Sequence, residues 1–417
     1  MAPTDNDMKP PAHLRLSDLH GFRRLATDAV VGLADLVEAM HHTITRTPGV
    51  FGSAPKGKTT GITGFVYKTV RGVTRFVGGG LDALLGTLAP LLAERRSSSE
   101  REAVLAVLNG VLGDYLEASG NPLAIPMQWR RGGHPLTITR EALTAAFPQA
   151  GGKVVVLLHG LCMNNLQWQR DGHDHGAALA RDAGYTPLYL HYNTGRHVST
   201  NGRDFSELMQ TLVDAWPVPI EDLAIVGHSM GGLVARSAIH CAALARQKWP
   251  RRLSSLVFLG TPHHGAPMER AGAIADYLIE ISPYTAPLAR LGKVRSAGIK
   301  DLRYGYVQDE DWAKPMPAGT RARRHALPLP LPAGVRCFAI AASKQARPAS
   351  PRTRVRGDGL VPVASALGQH RDPALALAIP DDHRFVAYET GHFDLLESPE
   401  VYERLARWLT GHRAPRP

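Results

Sequence analysis

The sequence predicts an α/β protein, a mainly parallel sheet flanked by helices, with a cap insertion and an N-terminal helical appendage. Three observations predict it. Short apolar runs alternate with helical patterns from about residue 121 onward, the rhythm of strand–helix–strand units in a sheet covered on both faces. One such run, 223–226, passes through Gly227-His-Ser-Met-Gly231 directly into a helical pattern. The runs at 256–259 and 336–342 are separated by roughly seventy residues, far more than an ordinary loop.

Composition sets the outer limits. A chain of 417 residues can bury one large core and still carry an appendage. Its 44% hydrophobic and 20% charged content excludes a disordered protein. A net charge of +11 implies attraction to anionic surfaces, a phospholipid membrane among them, and no feature calls for nucleic acid as a partner. Cys162, Cys241 and Cys337 are odd in number and widely spaced, which argues against a disulfide framework and against zinc. Residues 1–15 are polar and contain proline, with no apolar core of a secretory leader, and no apolar run has membrane-spanning length. The expected location is cytoplasmic, with peripheral contact to an anionic membrane as the variant.

Taken in order, residues 1–13 read as a disordered lead and 14–120 as the helical appendage. Leu25, Ala29, Val30, Leu33, Leu36, Val37 and Met40 recur at helical spacing opposite Arg23, Arg24, Asp28, Asp35 and Glu38. A loop over 48–61 precedes a second helical pattern at 62–77, basic on its polar side through Lys68, Arg71 and Arg75. That helix is expected either to pack in a helical layer or to lie in a membrane interface. The pattern breaks at Gly78-Gly-Gly80 and resumes over 81–88. A third helix starts near 97–100, with capping-box spacing, and runs through Val104, Leu105, Leu108, Leu112 and Leu116.

The larger domain occupies 121–417. Strands are expected at 123–129, 135–139, 153–158, 188–190, 223–226, 256–259, 336–342 and 385–388, with helices near 176–183, 204–216 and 399–409. The long connection, about 266–333, holds a helical pattern near 268–281 and then Pro283, Pro287, Pro315, Pro317 and the run Leu327-Pro-Leu-Pro-Leu-Pro332. An insertion of this size at the carboxyl edge of a parallel sheet is expected to cap the site below it.

The chemistry converges on Ser229. Gly227-His-Ser-Met-Gly231 fits G-x-S-x-G, a strand–turn–helix elbow that holds a serine in a strained conformation at a helix N-terminus. A serine hydroxyl needs a base to take its proton. His392, in Gly391-His-Phe-Asp394, follows a strand and supplies it; Asp358, in Gly357-Asp-Gly-Leu-Val-Pro362, follows another and orients the imidazole. Asp381, Asp382 and Asp394 are the reserve acids, and His383 and His370 the reserve histidines. The oxyanion donors expected are the backbone amides of Met230 and Leu161, with Cys162 next in line. His228, Tyr192, Asn193, His263 and His264 are candidate substrate-binding residues. Asp171, His173, Asp174 and His175 lack the wider second pair of ligands a metal site needs, so no metal is assigned.

The motifs His159-Gly-Leu161, Gly227-His-Ser-Met-Gly231, Gly260-Thr-Pro-His-His-Gly265, Asp358-Gly-Leu-Val-Pro362 and Gly391-His-Phe393 together resemble the α/β-hydrolase superfamily. They look most like its bacterial lipase/esterase branch, which is also similar to GPI inositol-deacylase-like proteins. The likeness covers about 122–412. It implies the α/β-hydrolase fold, hydrolysis of carboxylic esters without a cofactor, Ser229, Asp358 and His392 as triad, and Met230 and Leu161 as oxyanion donors. The apolar cap and basic balance point to lipid or other hydrophobic acyl esters. Acyl transfer or thioester hydrolysis on the same triad is the enzymatic alternative. A membrane- or granule-surface protein that keeps the fold without catalysis is the other.

Overall fold

The computed structural model describes residues 98–132, 134–267, 296–313, 326–350 and 355–411. The lead at 1–13, the helices expected at 22–40, 62–77 and 81–88, the loop between them and the helical pattern near 268–281 lie outside the described residues.

In chain order the elements are α1 (Ser98–Ala118), β1 (Gln128–Arg131), β2 (His134–Pro135), α2 (Arg140–Ala146), β3 (Lys153–Leu158), α3 (His175–Ala183), β4 (Thr186–His191), α4 (Val198–Ala215), β5 (Asp222–His228), α5 (Met230–Leu244), β6 (Leu253–Leu259), α6 (Ala297–Tyr304), α7 (Glu310–Ala313), β7 (Arg336–Ser343), α8 (Val363–Ala366), β8 (Arg384–Tyr388) and α9 (Pro399–Thr410). The strands form one sheet in the order β2-β1-β4-β3-β5-β6-β7-β8. The β1–β2 and β1–β4 pairs are antiparallel, and every pair from β4 to β8 is parallel. Every residue of β5 and β6 is buried, as is β3 after Lys153, so these strands carry apolar side chains on both faces. The chain leaves β3 toward β4 on one side and returns to β5 on the other. That reversal opens a crevice at the carboxyl ends of β3 and β5, where ligands bind in open α/β sheets.

Two expected strands come out shorter, for visible reasons. Residues 123–125 pair with a side chain instead of a strand: Asn109 of α1 donates to the Leu123 carbonyl at 2.8 Å and accepts from the Ile125 amide at 2.9 Å. The strand expected at 135–139 ends at Pro135, and Thr139 caps α2 by accepting from the Ala142 amide. Helix α4 starts at Val198, six residues before the sequence pattern, because the distant Asp301 carboxylate takes the Val198 amide at 2.8 Å.

The third helix of the expected appendage, α1, is seated in the sheet domain. Val104, Val107, Leu108 and Val111 belong to the same buried cluster as Val154–Leu158 of β3. Its glycines permit the approach: a Cβ on Gly110 would lie 2.1 Å from the Cys162 sulfur, and one on Gly113 would lie 1.8 Å from the Asn193 side chain. Helix α6, within the connection expected to form a cap, docks on the same helix. Ser296 donates to the Gly110 carbonyl at 2.6 Å, and the Ala297 amide donates to Asp114 at 2.8 Å.

Candidate active site

The elbow is built from the end of β5. Ser229 has φ 53° and ψ −120°, a left-handed conformation unusual for a residue with a side chain. Glycines make it possible. A Cβ on Gly227 would lie 2.5 Å from the Gly232 nitrogen, and one on Gly231 would lie 2.4 Å from the Leu158 carbonyl oxygen. The Ser229 amide donates to the Leu259 carbonyl at 2.8 Å, anchoring the turn to the end of β6. Met230 opens α5, so its amide has no acceptor within the helix and is placed to receive negative charge.

Asp358 and His392 come together from segments 34 residues apart. Their side chains meet at 2.7 Å through Nδ1 and Oδ2, and each residue is only 2% exposed. The other carboxylate oxygen accepts the Leu360 and Val361 amides, each at 2.8 Å. Burial pushes the Asp358 carboxyl up. The His392 charge and hydrogen bond and the two amides outweigh it and hold the group below its ordinary value. As a carboxylate, Asp358 fixes the His392 proton on Nδ1 and leaves Nε2 as the basic nitrogen. The imidazole packs on the residue after β6: a Cβ on Gly260, where φ is +60°, would lie 3.0 Å from His392 Cε1. Leu259 thus holds the Ser229 backbone, and its neighbour Gly260 makes room for His392.

The loop after β3 faces the serine. A Cβ on Gly160 would lie 3.1 Å from Ser229 Cβ. Leu161 and Cys162 are both buried, and Cys162 has φ 57° with its amide donating to the Thr194 hydroxyl at 3.0 Å. That amide is therefore already engaged. Burial also pushes the Cys162 thiol far above its ordinary value, which removes it as a second nucleophile.

The remaining expected residues fall into other places. His228 is fully buried and donates from Nε2 to the His392 carbonyl at 3.1 Å, so it supports the histidine loop from within. Tyr192 donates to the His159 carbonyl at 2.7 Å and stacks on that ring. Asn193 donates to the Gly113 carbonyl at 2.9 Å, joining the loop after β4 to α1. His263 and His264 line a cavity with Arg236 and His370. Asp381 is exposed and pairs with Arg384, Asp394 accepts the Gly391 amide, and His383 meets the Cys337 carbonyl.

The 171–175 turn is held by hydrogen bonds among its own members and neighbours. His173 and His175 bond to one another at 2.8 Å, His175 donates to the Leu395 carbonyl, and Asp174 caps α3 and accepts from Tyr189. Among the described residues no group of three His, Cys, Asp or Glu side chains is arranged to hold a metal. A cleft of about 430 Å³ opens beside His392, lined by Arg170, Lys344, Glu389, Gly391, Phe393 and Asp394.

The sheet order, its parallel pairing and the elbow after β5 fit the α/β-hydrolase fold. Residues 149–321 match a family described as a PGAP1-like alpha/beta domain. Among solved structures, the chain is similar to the mature form of the lipase BlEst2 from Bacillus licheniformis, at 16% identity over 62% of this chain and 92% of that one, with a TM-score of 0.40. It is also similar to a thermophilic esterase from Thermogutta terrifontis, at 16% identity over 68% and 93%, TM-score 0.37. A third is an esterase from Pyrobaculum calidifontis, at 15% identity over 63% and 78%, TM-score 0.39. No curated protein matches the sequence.

Proposed function

We propose that the protein is a serine hydrolase that cleaves carboxylic esters, with a hydrophobic acyl group as substrate, through an acyl-enzyme. The observation that carries this reading is the buried Asp358–His392 pair, 2.7 Å apart, packed on the residue that follows the Ser229 anchor at the end of β6. In the reaction, His392 Nε2 takes the Ser229 proton as the hydroxyl oxygen attacks the ester carbonyl. The negative charge that forms on the carbonyl oxygen is met by the amides of Met230 and Leu161. His392 then gives its proton to the departing alcohol, and water repeats the sequence on the acyl-enzyme. Asp358 keeps the imidazole in the required tautomer and stabilises its cation. The net charge of +11 supports substrates presented at anionic surfaces.

The test is labelling by a fluorophosphonate probe together with turnover of p-nitrophenyl esters of increasing acyl length, for the wild type and Ser229→Ala. Labelling and turnover in the wild type, both lost in Ser229→Ala, support the reading, and an optimum at long chains supports the hydrophobic acyl group. A folded wild type that neither labels nor turns over, with or without detergent, sinks it in favour of a non-catalytic surface protein.

A further inference from the structure

On α5, seven residues after Ser229, stands a side chain that the reaction above does not use. Arg236 is 6% exposed. A guanidinium removed from water ordinarily has a carboxylate beside it, because an unpaired buried charge loses its hydration without return. Here its hydrogen-bond partners among the described residues are neutral. Nη2 donates to the Leu329 carbonyl at 2.7 Å, Nη1 faces His263 Nδ1 at 3.4 Å, and Nε has no partner. The acid that acts on it from a distance is Asp311, whose carboxylate already accepts the amides of Val307, Gln308 and Leu327. Burial lowers Arg236 to about 10, so it remains a cation at neutral pH.

The surroundings add donors. A guanidinium can only donate, so the nitrogen of His263 that faces it accepts and the proton sits on Nε2, which is buried without a partner. His264 Nε2 is likewise buried without a partner; the ring bonds the Gly368 backbone through its other nitrogen, so Nε2 donates once an anion beside it draws a second proton onto the ring. Arg236, His263, His264 and His370 line one cavity of about 40 Å³, walled on one side by the 326–329 segment, and neither Ser229 nor Asp358 nor His392 borders it. At ~10–15 Å³ per water, that volume admits about three waters. It suits an ion of a few heavy atoms.

We propose that this cavity is a binding site for a small oxyanion, phosphate or carboxylate, held by Arg236 with His263 and His264 and separate from the catalytic centre. The anion supplies the negative charge that the guanidinium lacks. It joins three pieces of chain that meet there: α5, the loop after β6 and the 326–329 segment leading into β7.

The test is thermal unfolding of the full chain in sodium phosphate, sodium acetate or sodium chloride at equal ionic strength, for the wild type, Arg236→Gln and His264→Ala. The expected result is a saturable rise in Tm with phosphate or acetate beyond that with chloride. The apparent Kd should weaken at least tenfold in both variants. His264→Ala changes a half-buried position, so the comparison stands even where Arg236→Gln does not fold. A wild-type response no larger than that to chloride overturns the proposal. So does an oxyanion response that is unchanged in the variants.

Discussion

The Asp358 carboxylate does two jobs with its two oxygens, and that division makes its substitution informative. One oxygen accepts the amides of Leu360 and Val361, while the other accepts the hydrogen bond from His392 Nδ1. In Asp358→Asn the side-chain carbonyl can still receive the two amides, so the loop is retained. The amide nitrogen then faces His392 Nδ1 and forces the opposite tautomer, leaving no base on Nε2. Turnover of a p-nitrophenyl ester should fall about 10⁴-fold with Tm little changed; a loss under tenfold would count against Asp358 as the orienting acid. His228 acts one step further back, through the His392 carbonyl. We expect His228→Phe to lower kcat roughly tenfold at unchanged KM, with His228→Gln recovering part of it. A change confined to KM would instead return His228 to the substrate pocket. The elbow at Ser229 and the pairing of Asp358 with His392 were readable because each residue sits in a short motif in chain order. The role of His228 was not, because nothing in Gly227-His-Ser229 says that its ring reaches a carbonyl 164 residues away.

Among the elements, the buried strands were the most legible, since residues 154–158, 223–226 and 256–259 are continuous apolar runs that only a covered sheet accommodates. The start of α4 and the loss of strand at 123–125 were hidden, because Asp301 and Asn109 supply their hydrogen bonds from far along the chain. The seat of α1 was hidden for a related reason: helical periodicity shows that a face is buried and says nothing of what buries it. That seat is also the element most exposed to a single added methyl group. In Gly110→Ala the new carbon would meet the Cys162 sulfur at 2.1 Å and the Cys162 Cα at 2.9 Å, so the helix or the loop after β3 must move. The expected cost is roughly 1–3 kcal/mol of stability. Turnover should fall as well, because the same loop carries Leu161. Chemical denaturation and the ester assay on one preparation check both, and an unchanged midpoint would mean that the helix is not clamped there.

Across the molecule, a set of histidines is kept neutral by burial. His159 and His175 are lowered to about 4, His191 to about 2, and His228 and His263 well below the ordinary 6.5. His191 lies 3.8 Å from Glu102, but that carboxylate is held by Arg130 at 2.6 Å, and burial with the Arg130 charge keeps the ring uncharged. The unfolded chain protonates these rings near 6.5 and the folded chain does not. Their contribution is therefore complete above that pH and is lost as pH falls toward 4. Asp358, held below its ordinary value, extends the loss further into acid. Tm should drop continuously from pH 7 to pH 5, and a flat profile there would contradict neutral burial. The docking of α1 also bears on the order in which the protein is made and folded. Its farthest partner, Ser296, is 186 residues further along the chain, so the helix leaves the ribosome long before the last of the surface that covers it exists. Closing so long a loop delays docking behind the pairing of neighbouring strands. In pulse-labelled hydrogen exchange, the amides of α1 should gain protection after those of β3 and β5. Until then its apolar face is the surface a chaperone would meet first.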